Sequence, residues 1–93
     1  MNQNNTWTVY FLRCSDNSLY TGITTDIKRR LHQHNNTKLG AKYTRARRPV
    51  VLVYSETVVD KSAASKREYQ LRTLTKKKKE ELVLAYPASS FII

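Results

Sequence analysis

The stretch Leu19–His34 (LYTGITTDIKRRLHQH) restricts what this chain can build more than any other. A short β-prone run closes on Gly22, and the helix that follows has Ile27 and Leu31 as its apolar stripe. At about 100° per residue, Arg30 and His34 fall on that same stripe rather than opposite it. A helix docked through this stripe therefore carries a guanidinium and an imidazole toward its packed side. Such a guanidinium costs desolvation unless an anion meets it, or unless its stem lies along the core edge and its head reaches water.

The neighbouring segments say what this helix packs on. Trp7 to Arg13 is aromatic and β-branched and reads as a strand. Ser15-Asp16-Asn17 is a turn, and Ser18 to Gly22 is the returning strand. A two-residue loop at Asp16-Asn17 would place Tyr10 and Tyr20 on opposite faces of the hairpin. A three-residue loop with Asn17 in the left-handed conformation places both on one face, and asparagine at that position favours it.

Thr24 or Thr25 is expected to cap the first helix, which runs to about Asn35 with Asp26 in its first turn. Thr37 to Arg48 reads as a basic loop, and Val50 to Tyr54 as the most buried strand. Asp60 or Ser62 opens a second helix with Ala64, Leu71 and Leu74 on its inner face, and Glu68 falls on that face. Thr75 caps a third helix to about Ala85, packing through Leu82, Val83 and Tyr86. Pro87 stops it, ahead of an apolar tail, Phe91 to Ile93. The expected fold is α+β, in the order β-β-α-β-α-α. It is a small three-stranded, mainly antiparallel sheet flanked by helices, in one domain over residues 1–93.

Charge limits the partners. Seventeen Lys and Arg face seven Asp and Glu, a formal net charge of +10, which favours nucleic acid first and an anionic membrane surface second. No apolar run approaches the roughly 18 residues of a membrane span. The polar N-terminus is unlike a signal peptide, so a cytoplasmic protein is expected, as a monomer. Cys14, the single cysteine, excludes an internal disulfide and a cysteine-based zinc site. The loop residues Lys38, Lys42, Tyr43, Arg45, Arg47 and Arg48 are candidates for phosphate contact, with Tyr43 able to stack on a base. Lys76 to Lys79 read as a solvated face, and so does His32.

Thr8-Val9-Tyr10, then Tyr20-Thr21-Gly22, then Arg30-Leu31 with His34 three residues on, and Glu68 on a later helix form an ordered set. It resembles the GIY-YIG nuclease superfamily, over about Thr8 to Leu74, and looks most similar to its small stand-alone members. Thr8 stands where that pattern has glycine, Thr21 where it has isoleucine or valine, and Ile23 where some relatives have lysine. The resemblance implies phosphodiester hydrolysis, in DNA more than in RNA. One divalent ion, Mg2+ or Mn2+, would be held by Glu68. Tyr10 or Tyr20 would activate water or help orient the nucleophile, Arg30 would stabilise phosphate charge, and His34 would assist in proton handling or positioning. The alternative is a non-catalytic nucleic-acid-binding module on the same fold.

Overall fold

The computed structural model describes residues 6–86, so Pro87 and the Phe91 to Ile93 tail lie outside the described residues. The elements are β1 (Trp7–Arg13), β2 (Leu19–Thr24), α1 (Ile27–Asn36), α2 (Lys42–Arg45), β3 (Val51–Val58), α3 (Lys61–Arg72) and α4 (Lys76–Ala85). The sheet is antiparallel throughout, in the order β2-β1-β3. The expected β-β-α-β-α-α architecture is present. One short helix, α2, is added inside the basic segment that the sequence reads as loop.

The sheet order decides which strand is buried. β1 lies between two partners with helices on both faces, and Val9, Tyr10, Phe11 and Leu12 are exposed by 1% or less. β3 is an edge strand and only half-buried over most of its length, so the most buried strand is β1 and not Val50 to Tyr54. An apolar run shows what a strand can bury but says nothing about its place in the sheet. On one face Tyr10, Leu12, Cys14, Val50 and Leu52 pack with Tyr20, Ile27 and Leu31. On the other, Val9, Phe11, Ala64 and Leu71 pack with Leu74, Leu82 and Val83. Glu80 of α4 ties that helix to β1, accepting two hydrogen bonds from the Arg13 guanidinium at 2.5 and 2.6 Å. The pairing holds its carboxyl down to about 2.

The hairpin adopts the three-residue loop. Cys14 N–H donates to Ser18 O and Asn17 N–H donates to Cys14 O, both at 2.9 Å, with Asn17 left-handed at φ 71°. Tyr10 then pairs with Gly22 and Leu12 with Tyr20, so the two tyrosines share a face.

Asp26 caps α1, its side chain accepting from Arg29 N–H. Thr24, one of the two expected caps, spends its hydroxyl on the turn before the helix, accepting from Asp26 N–H at 3.1 Å. Asp60 and Thr75 cap α3 and α4 as the sequence suggests. At the other end, α1 closes at Asn36, as expected, and Asn35 serves a further purpose. Its side-chain amide accepts from Val50 N–H at 2.7 Å and donates to Val50 O at 2.9 Å, tethering α1 to the entry of β3.

Candidate active site

Gly22 makes room for a tyrosine. A Cβ placed there would lie 2.6 Å from Tyr10 Cζ and closer still to the hydroxyl oxygen, so the Tyr10 ring end occupies the space that a side chain would fill. The strand-pairing register puts it there, because Tyr10 and Gly22 are direct cross-strand partners. Only glycine allows a buried phenol to lie across the strand at this point.

Beside it lies an open concavity of about 250 Å³ lined by Tyr10, Tyr20, Gly22, Arg30, Ser65 and Glu68, together with Thr21 and Ile23. The concavity straddles the β2 edge of the sheet. Tyr10, Tyr20 and Arg30 come from the α1 face, whereas Ser65 and Glu68 come from α3 on the other face. Four of the five sequence-predicted catalytic and metal-holding residues thus meet in one place. A larger concavity of about 610 Å³ lies between α1 and the start of β3. It holds none of these residues, and Leu31, Val50, Val51 and Leu52 line it together with Lys28, His32, Asn35 and Asn36.

Arg30 is oriented by its own surroundings. Its Nη1 donates to Gln33 Oε1 and to Leu39 O, each at 2.8 Å, and no carboxylate pairs with it among the described residues. Glu68 accepts from Arg72 Nε through Oε2 at 2.9 Å, an i,i+4 pair. Arg30 and Glu68 thus do not pair with each other, and the guanidinium lies close enough to the Tyr10 hydroxyl to favour its ionised form.

His34 is fully buried behind the site, hydrogen-bonded to Tyr10 and edge-on to the Tyr20 ring at a centroid distance of 5.3 Å. Its Nε2 and the Tyr10 hydroxyl share a hydrogen bond of 2.9 Å. Its Nδ1 lies 2.8 Å from the hydroxyl oxygen of Thr44, whose single proton goes to Ala41 O at 2.9 Å. Thr44 is itself fully buried, and nothing in its sequence setting, a single hydroxyl among cations, marks it as part of the site. Ser65 was missed as well. Its only sequence signal is that it lies three residues before Glu68 on one helix, hence on the same face.

Burial sets the protonation states. It pushes the Tyr10 hydroxyl up to about 12, helped by Tyr20 and opposed by the Arg30 guanidinium. Tyr20 is raised too, by burial first, with Arg30 opposing and Glu68 adding. His34 is held down to about 4, by burial and then by the Arg30 and Arg48 cations, so it is neutral at physiological pH.

The basic segment divides into two groups. Arg48 donates to the carbonyls of His34 at 2.6 Å and Gln33 at 3.2 Å, and to that of Thr37. It satisfies the carbonyl end of α1 and sits favourably on the helix dipole. Arg47 pairs with Asp16 at 2.9 Å and lies 3.8 Å over the Tyr43 ring. Tyr43 in turn stacks on Tyr20, with ring centroids 6.0 Å apart. Lys38, Lys42 and Arg45 are exposed, with no ion-pair partner among the described residues.

Among the described residues no three His, Cys, Asp or Glu side chains converge as a metal cage. The donor chemistry fits a different kind of ion. Glu68 keeps Oε1 free of hydrogen bonds to the described residues and faces a polar, open concavity. One carboxylate suits Mg2+ or Mn2+, which retain water and take further oxygens from a substrate phosphate, and does not suit structural zinc.

Comparison with known proteins gives the same picture at the level of family. Residues 6–81 match the model of the GIY-YIG catalytic domain. UPF0213 protein DP2720 of Desulfotalea psychrophila is 56% identical over 79 residues, covering 85% of this chain and 72% of that relative. UPF0213 protein SERP0126 of Staphylococcus epidermidis is 52% identical over 75 residues, covering 81% of this chain and 90% of that one. Among solved structures, the NMR structure of UPF0213 protein BH0048 from Bacillus halodurans is similar at a TM-score of 0.57 and 42% identity. It covers 90% of this chain and 89% of that one. No helix among the described residues is long and apolar enough to cross a membrane. With the motif residues gathered at one sheet edge and the domain model matched over most of the chain, this protein belongs to the GIY-YIG family.

Proposed function

We propose that this chain is a divalent-metal-dependent nuclease that hydrolyses phosphodiester bonds in DNA. The observation that carries the reading is the single concavity shared by Tyr10, Tyr20, Arg30 and Glu68, drawn from β1, β2, α1 and α3. Glu68 would hold Mg2+ or Mn2+. When bound, such an ion polarises a phosphoryl oxygen and lowers the pKa of bound water. Arg30, fixed by Gln33 and Leu39 but without a carboxylate partner, stabilises the charge that builds on the phosphate. Tyr10 presents its oxygen to the concavity and exchanges a proton there, with Tyr20 orienting the water. His34 acts as a positioning residue, holding the Tyr10 hydroxyl from behind. Lys38, Lys42 and Arg45 contact the nucleic-acid backbone outside the site and supply sequence-independent affinity.

Purified protein is expected to cut DNA only with Mg2+ or Mn2+ present. Glu68→Ala should abolish cleavage, and Arg30→Ala should lower it by about 10²-fold or more. Cutting that survives both substitutions would refute the assignment. Salt-sensitive binding with no cutting, unaffected by Glu68→Ala, would instead identify a binding module on this fold.

The pH profile is a second test. A phenol near 12 is a scarce base at neutrality, so the rate is expected to rise with pH through the neutral range. His34, held near 4, contributes no step between about pH 5.5 and 7.5. A rate that falls on protonation of a group near 6.5, and loses that step in His34→Gln, would make the histidine a general base and overturn the positioning role.

A further inference from the structure

A second concavity of about 290 Å³ adjoins the first and shares two of its residues, Tyr20 and Thr21. Its remaining lining is Leu19, Tyr43, Arg72 and Lys79. The charges there are of one sign: a guanidinium and an ammonium, with no carboxylate in the lining. Arg72 gives its Nε to Glu68 at 2.9 Å, which leaves its two terminal nitrogens without a hydrogen bond to the described residues. Lys79 is half-buried, and no carboxylate lies within ion-pair distance of it among the described residues. Glu80, the next residue along α4, is turned to Arg13 and Lys76.

Glu68 meets Arg72 from one side only, and the Lys79 ammonium beside it has no anion, a charge that a bound phosphate would meet. Tyr43 does not offer a free ring face for a base in the way that its exposure suggests, because Tyr20 stacks on it and the Arg47 guanidinium lies 3.8 Å above it. Phosphate chemistry fits the space better than base stacking does.

Resting on the nuclease reading, we infer that this second concavity is a subsite for the phosphodiester next to the one being cleaved, with Lys79 as its principal contact and Arg72 beside it. Arg72 then joins the two phosphate positions, because the same side chain braces Glu68 on the catalytic side of the wall. The substrate is a strand that passes across the β2 edge with consecutive phosphates in the two concavities. A lone diester occupies only the first.

Three defined probes test the assignment: the thymidine dinucleotide TpT, the trinucleotide TpTpT, and TpTpT with one linkage made a neutral methylphosphonate. Binding is read by NMR titration of labelled protein in EDTA, and turnover as kcat/KM with Mg2+. TpTpT is expected to exceed TpT by about 5- to 10-fold, with its extra shifts at Lys79 and Tyr43, and the methylphosphonate should fall back to TpT. Lys79→Ala, which raises helix propensity and so keeps α4, should erase the trinucleotide advantage while leaving TpT unchanged. Lys79→Arg should keep the advantage. An advantage that persists in Lys79→Ala, or an equal loss for TpT and TpTpT, would overturn the subsite. A wild-type protein that cuts none of the probes nor longer DNA would remove the nuclease reading, and the titration in EDTA would still decide the subsite.

Discussion

Replacing Gly22 with alanine is expected to lower cleavage by about 10²-fold or more and to cost about 2 kcal/mol of stability. The added Cβ would lie 2.6 Å from Tyr10 Cζ, well inside van der Waals contact, so one of the two must move. Tyr10 is 1% exposed and packed with Leu12, Cys14 and Leu52, so its ring yields only by disturbing these neighbours. The displacement that relieves the clash also breaks the 2.9 Å bond to His34 and withdraws the phenol oxygen from the concavity. Thermal melts and steady-state cleavage of the same preparation check both halves. A Gly22→Ala protein with wild-type melting and wild-type kcat would show that Tyr10 does not lie where catalysis needs it.

Arg48→Met is expected to be the most destabilising change in the basic segment, by about 2–3 kcal/mol, or roughly 10–15 °C in melting temperature for a domain this size. Methionine keeps the apolar stem but removes the donors that satisfy the carbonyls of Gln33, His34 and Thr37. The Gln33 and Thr37 carbonyls keep the N–H groups of Thr37 and Gly40, but that of His34, the residue that holds Tyr10, would be left with no donor among the described residues. Arg45→Met, three residues away on an exposed helical turn, should leave melting unchanged and weaken DNA binding instead. The two variants therefore separate an arginine that builds the protein from one that meets the ligand. The reverse pattern, with Arg45 structural and Arg48 controlling affinity, would overturn this division.

That contrast marks the limit of what sequence showed. Tyr10, Tyr20, Arg30 and Glu68 were legible because each obeys a local rule: strand parity after a three-residue turn, or position on a helical stripe. His34 was legible by the same stripe, but its burial was not, since a stripe fixes direction and not depth. Arg48, Arg47 and Arg45 are indistinguishable as charges in a row. Their roles depend on which carbonyl or carboxylate the folded chain brings near, and that is a tertiary fact. Thr44 was lost for the same reason, because its partner lies ten residues back on another element. The burial of β1 rather than β3 follows from sheet order, which no single strand encodes.

The hairpin turn at Ser15 to Asn17 has a consequence for how this chain can vary. Surface turns ordinarily absorb insertions and deletions, because little depends on their length. Here the closing pair matters more than the count. While Cys14 faces Ser18 across the turn, even a loop shortened to two residues keeps Tyr10 opposite Gly22. A slip of one residue in that pair would carry Tyr20 through the sheet to the opposite face and set a β-branched residue, Thr21 or Ile23, opposite Tyr10 in place of Gly22. The turn is thus register-locked: its length can drift only so far as Cys14 and Ser18 stay paired across it.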